Sequence, residues 1–243
     1  MAAILAGAGF CTIWCTPHRI AGVYDTPPGE IRAGVEELQK RISRAGIVLT
    51  LKPATEYCLD EFLVSTLSHP LMLDESLLLV ELPRTILPKT VSEVLYQMIR
   101  NGTVPLIAHP ERSPVFSPED DPAQYAGFSA LSAVRSLFSK RKKTHAPLRE
   151  TNLPPLLTLL RDMGCRFQGN IGSFAGIYGP SVQRTALQYL RAGVYDRLGS
   201  DAHRPDQLGT WLPEGLGVVR ECIGPAGLKR LLRHDRQKAP VTV

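Results

Sequence analysis

Long apolar runs are missing from this 243-residue sequence: none reaches the roughly 18 residues that would cross a bilayer. The opening Met1-Ala-Ala-Ile-Leu-Ala-Gly-Ala-Gly is apolar but lacks the basic flank of a signal peptide. The expectation is a protein that is neither secreted nor membrane-spanning. Cysteine is sparse too. The five, at positions 11, 15, 58, 165 and 222, are an odd set without paired spacing, which implies no disulfide framework and a reducing, cytoplasmic compartment. Charge of one sign is only mildly in excess, with 28 basic and 23 acidic residues, a formal charge of +5 and a pI near 9.0. Much of the excess sits in Lys140-Arg141-Lys142-Lys143, which reads as a solvated loop rather than a nucleic-acid site. No internal repeat is visible.

What is present is enough apolar material, 44% of residues, for one substantial core, and a single α/β domain of barrel size over 1–243 is the natural expectation. Residues 2–8 read as a helix end closed by Gly9, and a strand follows at 10–15. Thr26 is placed as the cap of a helix with Pro27 and Pro28 at its start, burying Ile31, Val35, Leu38 and Ile42 and ending at Gly46. Strands are expected at 47–51, 77–80, 104–108, 166–168 and 196–199. Helices are expected at 61–67, 90–100, 153–163, 181–192 and 224–233. Strands alternating with helices imply parallel pairing through crossovers, hence a barrel or a doubly wound sheet. The rhythm breaks from about 113 to 150, where prolines, Glu119-Asp120-Asp121 and the basic run suggest an insertion over one face, with one helix near 131–138.

The apolar run Val104 to Ala108 stops abruptly at His109-Pro110-Glu111-Arg112. The same layout recurs: the other short strands deliver His18, Glu56, Glu81, and Asp201 with His203. In parallel α/β barrels the carboxyl ends of the strands share one face, so six such groups can converge in one bowl. Imidazole together with carboxylate suits Zn, Mn or Fe(II), and several ligands suit a cluster of two or three ions. One such residue at a strand end is ordinarily a structural hydrogen-bonder; six, in a chain with six histidines in all, favour a metal centre. Asp201-x-His203 is the sharpest pair, alternate residues of an extended segment being able to meet one metal. His69, His145 and His234 are placed at the surface. Arg112 reads, by itself, as a salt bridge to Glu111 or the insertion.

These motifs, taken in order, resemble a family. Thr16-Pro17-His18, Glu56-Tyr57-Cys58-Leu59-Asp60, Glu81-Leu82-Pro83, Ala108-His109-Pro110-Glu111-Arg112, Gln168-Gly169-Asn170 with Ser173 and Gly176-Ile177-Tyr178-Gly179, and Gly199-Ser200-Asp201-Ala202-His203 are similar to the CpsB/CapC bacterial tyrosine phosphatases of the polymerase and histidinol phosphatase (PHP) superfamily. The resemblance implies a distorted (β/α)7 TIM-like barrel. It implies a cluster of two or three divalent ions, usually manganese, with zinc or iron as alternatives. The implied substrate is phosphotyrosine on a bacterial tyrosine kinase that controls capsule or exopolysaccharide export. His18, Glu56, Glu81, His109, Asp201 and His203 would then be metal ligands, and Arg112 would hold the phosphate.

The family pattern opens on a His-x-His strand and an acidic turn before its first helix, whereas this sequence starts inside that helix. The resemblance therefore leads us to expect a missing first strand, from a misplaced start or a shortened chain, with a gap in the barrel wall, fewer ions and weak or no activity. A thiolate route is excluded, because no cysteine has arginine six positions on, as the phosphate-cradling loop of cysteine phosphatases requires. Two other classes remain open: a PHP phosphoesterase acting on a small phosphate ester, and a non-catalytic binding module. Oligomeric state is not readable from the sequence.

Overall fold

The computed structural model describes residues 1–116 and 153–233. The expected helix near 131–138 and the two histidines at 145 and 234 lie outside them. In chain order the elements are α1 (Ala2–Gly7), β1 (Thr12–Cys15), β2 (His18–Arg19), α2 (Pro28–Arg44), β3 (Thr50–Pro53), β4 (Glu56–Cys58), α3 (Leu63–Thr66), β5 (Leu77–Glu81), α4 (Pro88–Arg100) and β6 (Val104–Ala108). Two 3-10 turns follow, η1 (Pro110–Arg112) and η2 (Pro114–Phe116), then α5 (Pro155–Met163), β7 (Arg166–Asn170), α6 (Ile171–Phe174), α7 (Pro180–Arg191), β8 (Arg197–Gly199) and α8 (Leu208–Leu232).

Among the described residues every pair of named strands is parallel. Six strands run in the order β2-β4-β5-β6-β7-β8, and β1 pairs with β3 separately. The separation is only nominal: Thr12 faces Thr50 and His18 faces Glu56, the same register on both sides of the gap. The ladder is interrupted where Pro17 has no N–H to donate, although its carbonyl still accepts from the Glu56 amide at 3.1 Å. His18 and Glu56 therefore sit inside continued strands rather than in loops after them, which corrects the expected end of the first strand at residue 15.

The alternation of a strand sorts its side chains between two cores. Leu78, Val80, Ile107, Phe167 and Leu198 point outward into the large cluster shared with the helices. Ala54, Leu77, Leu79, Leu106 and Ala108 point inward and, with Trp14, fill the concave side. Across the floor, Arg197 of β8 reaches Asp74, just before β5, at 3.0 Å.

Several boundaries shift for local reasons. Thr26 is not the cap of α2; Pro27 holds that place in extended backbone, and Pro28 begins the helix. Leu38 is exposed, while its neighbour Gln39 turns inward, accepting from the Leu51 amide at 2.7 Å and donating to the Leu49 carbonyl at 3.0 Å. The last helix starts 16 residues earlier than the 224–233 pattern suggested. Its early turns carry Gly209, Pro213, Gly215 and Gly217, which blur the pattern, and Gly224 at φ 74° breaks it. Gly215 is where α8 lies against the Ile171 carbonyl, so close that a Cβ would not fit.

Candidate metal centre

Register explains how distant strand positions reach one bowl. His18 is level with Glu56, Glu56 with Leu79, Leu79 with Leu106, and Leu106 with Arg166. From that level Glu81 lies two positions further along its strand, His109 three, and Asn170 four. Asn170 is level with Gly199, two short of Asp201. The positions thus climb around the sheet, yet the His18 and His203 rings, at its two ends, are only 5.3 Å apart. Strand tilt of the kind that curls a sheet into a barrel absorbs the climb.

Alternation alone would send His109 outward, since Ala108 faces the concave core. Its left-handed backbone, φ 31° and ψ 59°, turns the ring inward instead. Asp201 also has positive φ, 49°. Both are residue types that enter this region more readily than most.

Five of the six candidate residues come together. His109 Nε2 lies 3.4 Å from Glu56 Oε1, 3.6 Å from Glu81 Oε1 and 4.0 Å from Asp201 Oδ2. His18 Nε2 is 3.5 Å from Glu81 Oε2. His18, Glu56 and Glu81 each offer a ligand atom within 4.8 Å of the others. His203 is the outlier: its Nδ1 is 3.6 Å from Asp201 Oδ1 but turned toward the Asp201 carbonyl at 3.0 Å. The turn at Asp201 replaces the extended segment that the sequence suggested. His69 is exposed, as expected.

The hydrogen bond to Glu81 lifts the His18 imidazole above its ordinary pKa and holds the Glu81 carboxyl below the usual carboxylate range. Burial pulls His109 down, but the Glu56 and Asp201 carboxylates outweigh it and the net shift is upward. Glu56 Oε1 is buried with no well-aligned hydrogen bond among the described residues, its one cationic neighbour being the His109 imidazole at 3.4 Å. A buried carboxylate oxygen so weakly met favours a closer cation, so this donor set fits divalent cations. Cys15 and Cys58 are pushed up by burial, away from the thiolate that nucleophilic chemistry needs.

Arg112 does not pair with Glu111. Its NH1 donates to Asp201 Oδ2 at 2.6 Å, and its guanidinium lies 4.3 Å from the centre of the Tyr178 ring. Asn170 Nδ2 donates to the same Asp201 oxygen at 3.1 Å and to the Tyr178 hydroxyl at 3.3 Å. Glu111 is buried beneath, accepting from the Asn170 amide and the Tyr195 hydroxyl, each at 3.0 Å. The network thus fixes the turn bearing His109 and Arg112 to β7. The sequence suggested no role for Asn170, Tyr178 or Tyr195, and for Glu111 only that of a partner for Arg112. Asn170, Tyr178 and Glu111 all stood within the motifs of the resemblance, Glu111 three residues past a buried strand, whereas nothing local marked Tyr195.

Between the two sheet ends lies a cavity of about 350 Å3 whose lining includes His18, Glu56, Asp201 and His203 together with Trp14, Leu79 and Arg197. No helix among the described residues is long and apolar enough to cross a membrane.

A curled parallel sheet gathering imidazoles and carboxylates at its carboxyl mouth defines an α/β half-barrel with a candidate metal centre. The family model for capsular polysaccharide synthesis proteins, CpsB/CapC, matches residues 1–121. The chain is 26% identical over 227 residues to the tyrosine-protein phosphatase YwqE of Bacillus subtilis (strain 168), covering 92% of this chain and 76% of that protein. A solved structure from work on YwqE of Bacillus subtilis and CpsB of Streptococcus pneumoniae, described as unique metal-dependent tyrosine phosphatases, superposes with a TM-score of 0.72 at 25% identity. That likeness covers 95% of this chain and 81% of the other. This chain is thus similar to the CpsB/CapC proteins in sequence and in fold.

Proposed function

We propose that this protein is a metal-dependent protein-tyrosine phosphatase that hydrolyses phosphotyrosine on a bacterial tyrosine kinase controlling capsular or exopolysaccharide synthesis, in the cytoplasm. The observation that carries the reading is the convergence of His18, Glu56, Glu81, His109 and Asp201 in one bowl with Arg112 at its edge. The named activities of YwqE and CpsB support it. In this reading the chain over 1–243 is one PHP-type domain on a distorted (β/α)7 plan with an insertion at about 113–150. His18, Glu56, Glu81, His109, Asp201 and His203 hold two or three divalent ions, Mn2+ first among them.

Bound there, the ions supply Lewis acidity to a water and to the phosphoryl oxygens. The chain's own groups supply the rest. Arg112 gives one of its five N–H donors to Asp201, and its planar fork suits the equatorial oxygens of a phosphoryl group. Asp201 and the Tyr178 ring hold that guanidinium from two sides, so its orientation is set before substrate arrives. Glu81 and Glu56 keep the imidazoles of His18 and His109 aimed into the bowl.

The test is hydrolysis of a phosphotyrosine peptide by protein loaded with Mn2+, before and after chelation. Turnover that chelation abolishes and Mn2+ restores is expected. Turnover indifferent to chelation, or preference for small alkyl phosphates over the peptide, would overturn the reading.

A further inference from the structure

The loop after β7 places an aromatic and an aliphatic side chain at the mouth of the bowl. Asn170 caps α6 by accepting from the Gly172 amide at 2.8 Å, and the chain folds back with Ile177 N–H on the Gly172 carbonyl at 3.2 Å. Ile177 covers Gly172 so closely that a Cβ there would lie 2.6 Å from its Cδ1. Gly176 and Gly179, at φ 77° and 94°, make the turns on either side. The consequence is that Ile177 and Tyr178 are held in place yet stay 45% and 36% exposed. One face of the Tyr178 ring is against the Arg112 guanidinium, so its exposure belongs to the remainder of the ring.

An exposed, immobilised ring beside an arginine that holds phosphate is more than a prop for that arginine. In an aryl phosphate the ring hangs directly on the ester oxygen, so a phosphoryl group on Arg112 brings the leaving ring within van der Waals reach of Tyr178. An alkyl phosphate offers nothing there for an aromatic surface. We propose that Tyr178, flanked by Ile177, is the specificity determinant of this site, packing against the phosphotyrosyl ring and selecting aryl over alkyl phosphate esters. This deepens the phosphatase reading and rests on it.

The experiment compares the unaltered protein with Tyr178→Ala and Tyr178→Phe, all loaded with Mn2+, in two readouts. One is kcat/KM for a phosphotyrosine peptide. The other is equilibrium binding of free phosphotyrosine and of inorganic phosphate, which is scored without turnover. Y178A should weaken peptide turnover, through KM, and phosphotyrosine binding by about 3- to 10-fold, the scale of one aromatic pair. Phosphate affinity should fall less, through the Arg112 support that both ligands share, and Y178F, which keeps the ring, should keep the parent's ratio of phosphotyrosine to phosphate affinity. An equal loss for phosphate and phosphotyrosine would reduce Tyr178 to a support for Arg112 and overturn the proposal, as would no loss at all. If the unaltered protein bound phosphotyrosine but did not hydrolyse the peptide, the phosphatase reading would fall while the binding comparison still decided the role of Tyr178.

Discussion

The two walls of the bowl are built to different standards. On the wall of β6, η1 and β7, His109 is 6% exposed, and Glu111 beneath it is tied to a backbone amide and a buried phenol. On the wall where the sheet ends, at β2 and β8, the His18 and His203 side chains are 28% and 62% exposed. The closed wall fixes direction through packing and hydrogen bonds that owe nothing to an ion. The open wall leaves its imidazoles room to adjust, and the cavity beside it gives access. A ligand set with one rigid half and one adjustable half needs little reorganisation to bind an ion, yet does not close its own entrance.

The comparison can be attacked most strongly at His109. Its replacement by alanine removes the imidazole that faces three carboxylates and should lower both Mn2+ affinity and kcat/KM by at least about 100-fold, the upper range seen for groups that merely support ligands. Metal analysis beside a phosphotyrosine assay reads both, and values within about threefold of the parent would erase the contrast.

A smaller effect comes from protons. In the metal-free chain both His18 and His109 titrate above the ordinary histidine range, so each is protonated at pH values where an unperturbed imidazole is already neutral. Charged imidazoles therefore stabilise the metal-free fold fully below the unfolded pKa, and that contribution is lost as pH rises through the folded values. A ligating nitrogen must first give up its proton, so Mn2+ affinity should fall as pH falls through those values, by up to about tenfold per unit for each proton displaced. Calorimetric titrations in buffers of different ionisation enthalpy count the protons released. Uptake of Mn2+ without proton release would show that the imidazoles do not bind it.

The smallest effect is expected at His203. Its replacement by alanine should change unfolding free energy in urea by less than about 0.5 kcal/mol, because the ring is mostly in solvent. A loss above about 2 kcal/mol would mean that the open wall is as structural as the closed one.

Much of the fold was legible because its signals are local. The apolar runs at 77–80 and 104–108 could only be buried strands, and the amphipathic stripe of α2 was readable at Ile31, Val35 and Ile42. The candidate ligands stood out for the same reason, each being an imidazole or carboxylate a few residues beyond a short apolar run. What stayed hidden depends on partners distant in sequence. Glu111 matters through Asn170 and Tyr195, 59 and 84 positions away, and no local pattern announces that. Arg112 could be read as pairing with its neighbour, but its partner is Asp201, 89 positions on. The turn at His109 was equally invisible, since strand alternation would have pointed the ring at the helices.

The stepwise climb of the site around the sheet bears on which length changes the chain can absorb. Residues added or removed in the helices and in the turns that enter the strands leave the register pairs untouched. One residue inserted between Leu106 and His109, or between Gln168 and Asn170, would advance that side chain by about 3.3 Å and reverse the face it projects from. Length variation among sequences sharing this site should therefore collect in the helices and outer loops. The short stretch from each strand's first paired residue to its imidazole or carboxylate should keep a constant count.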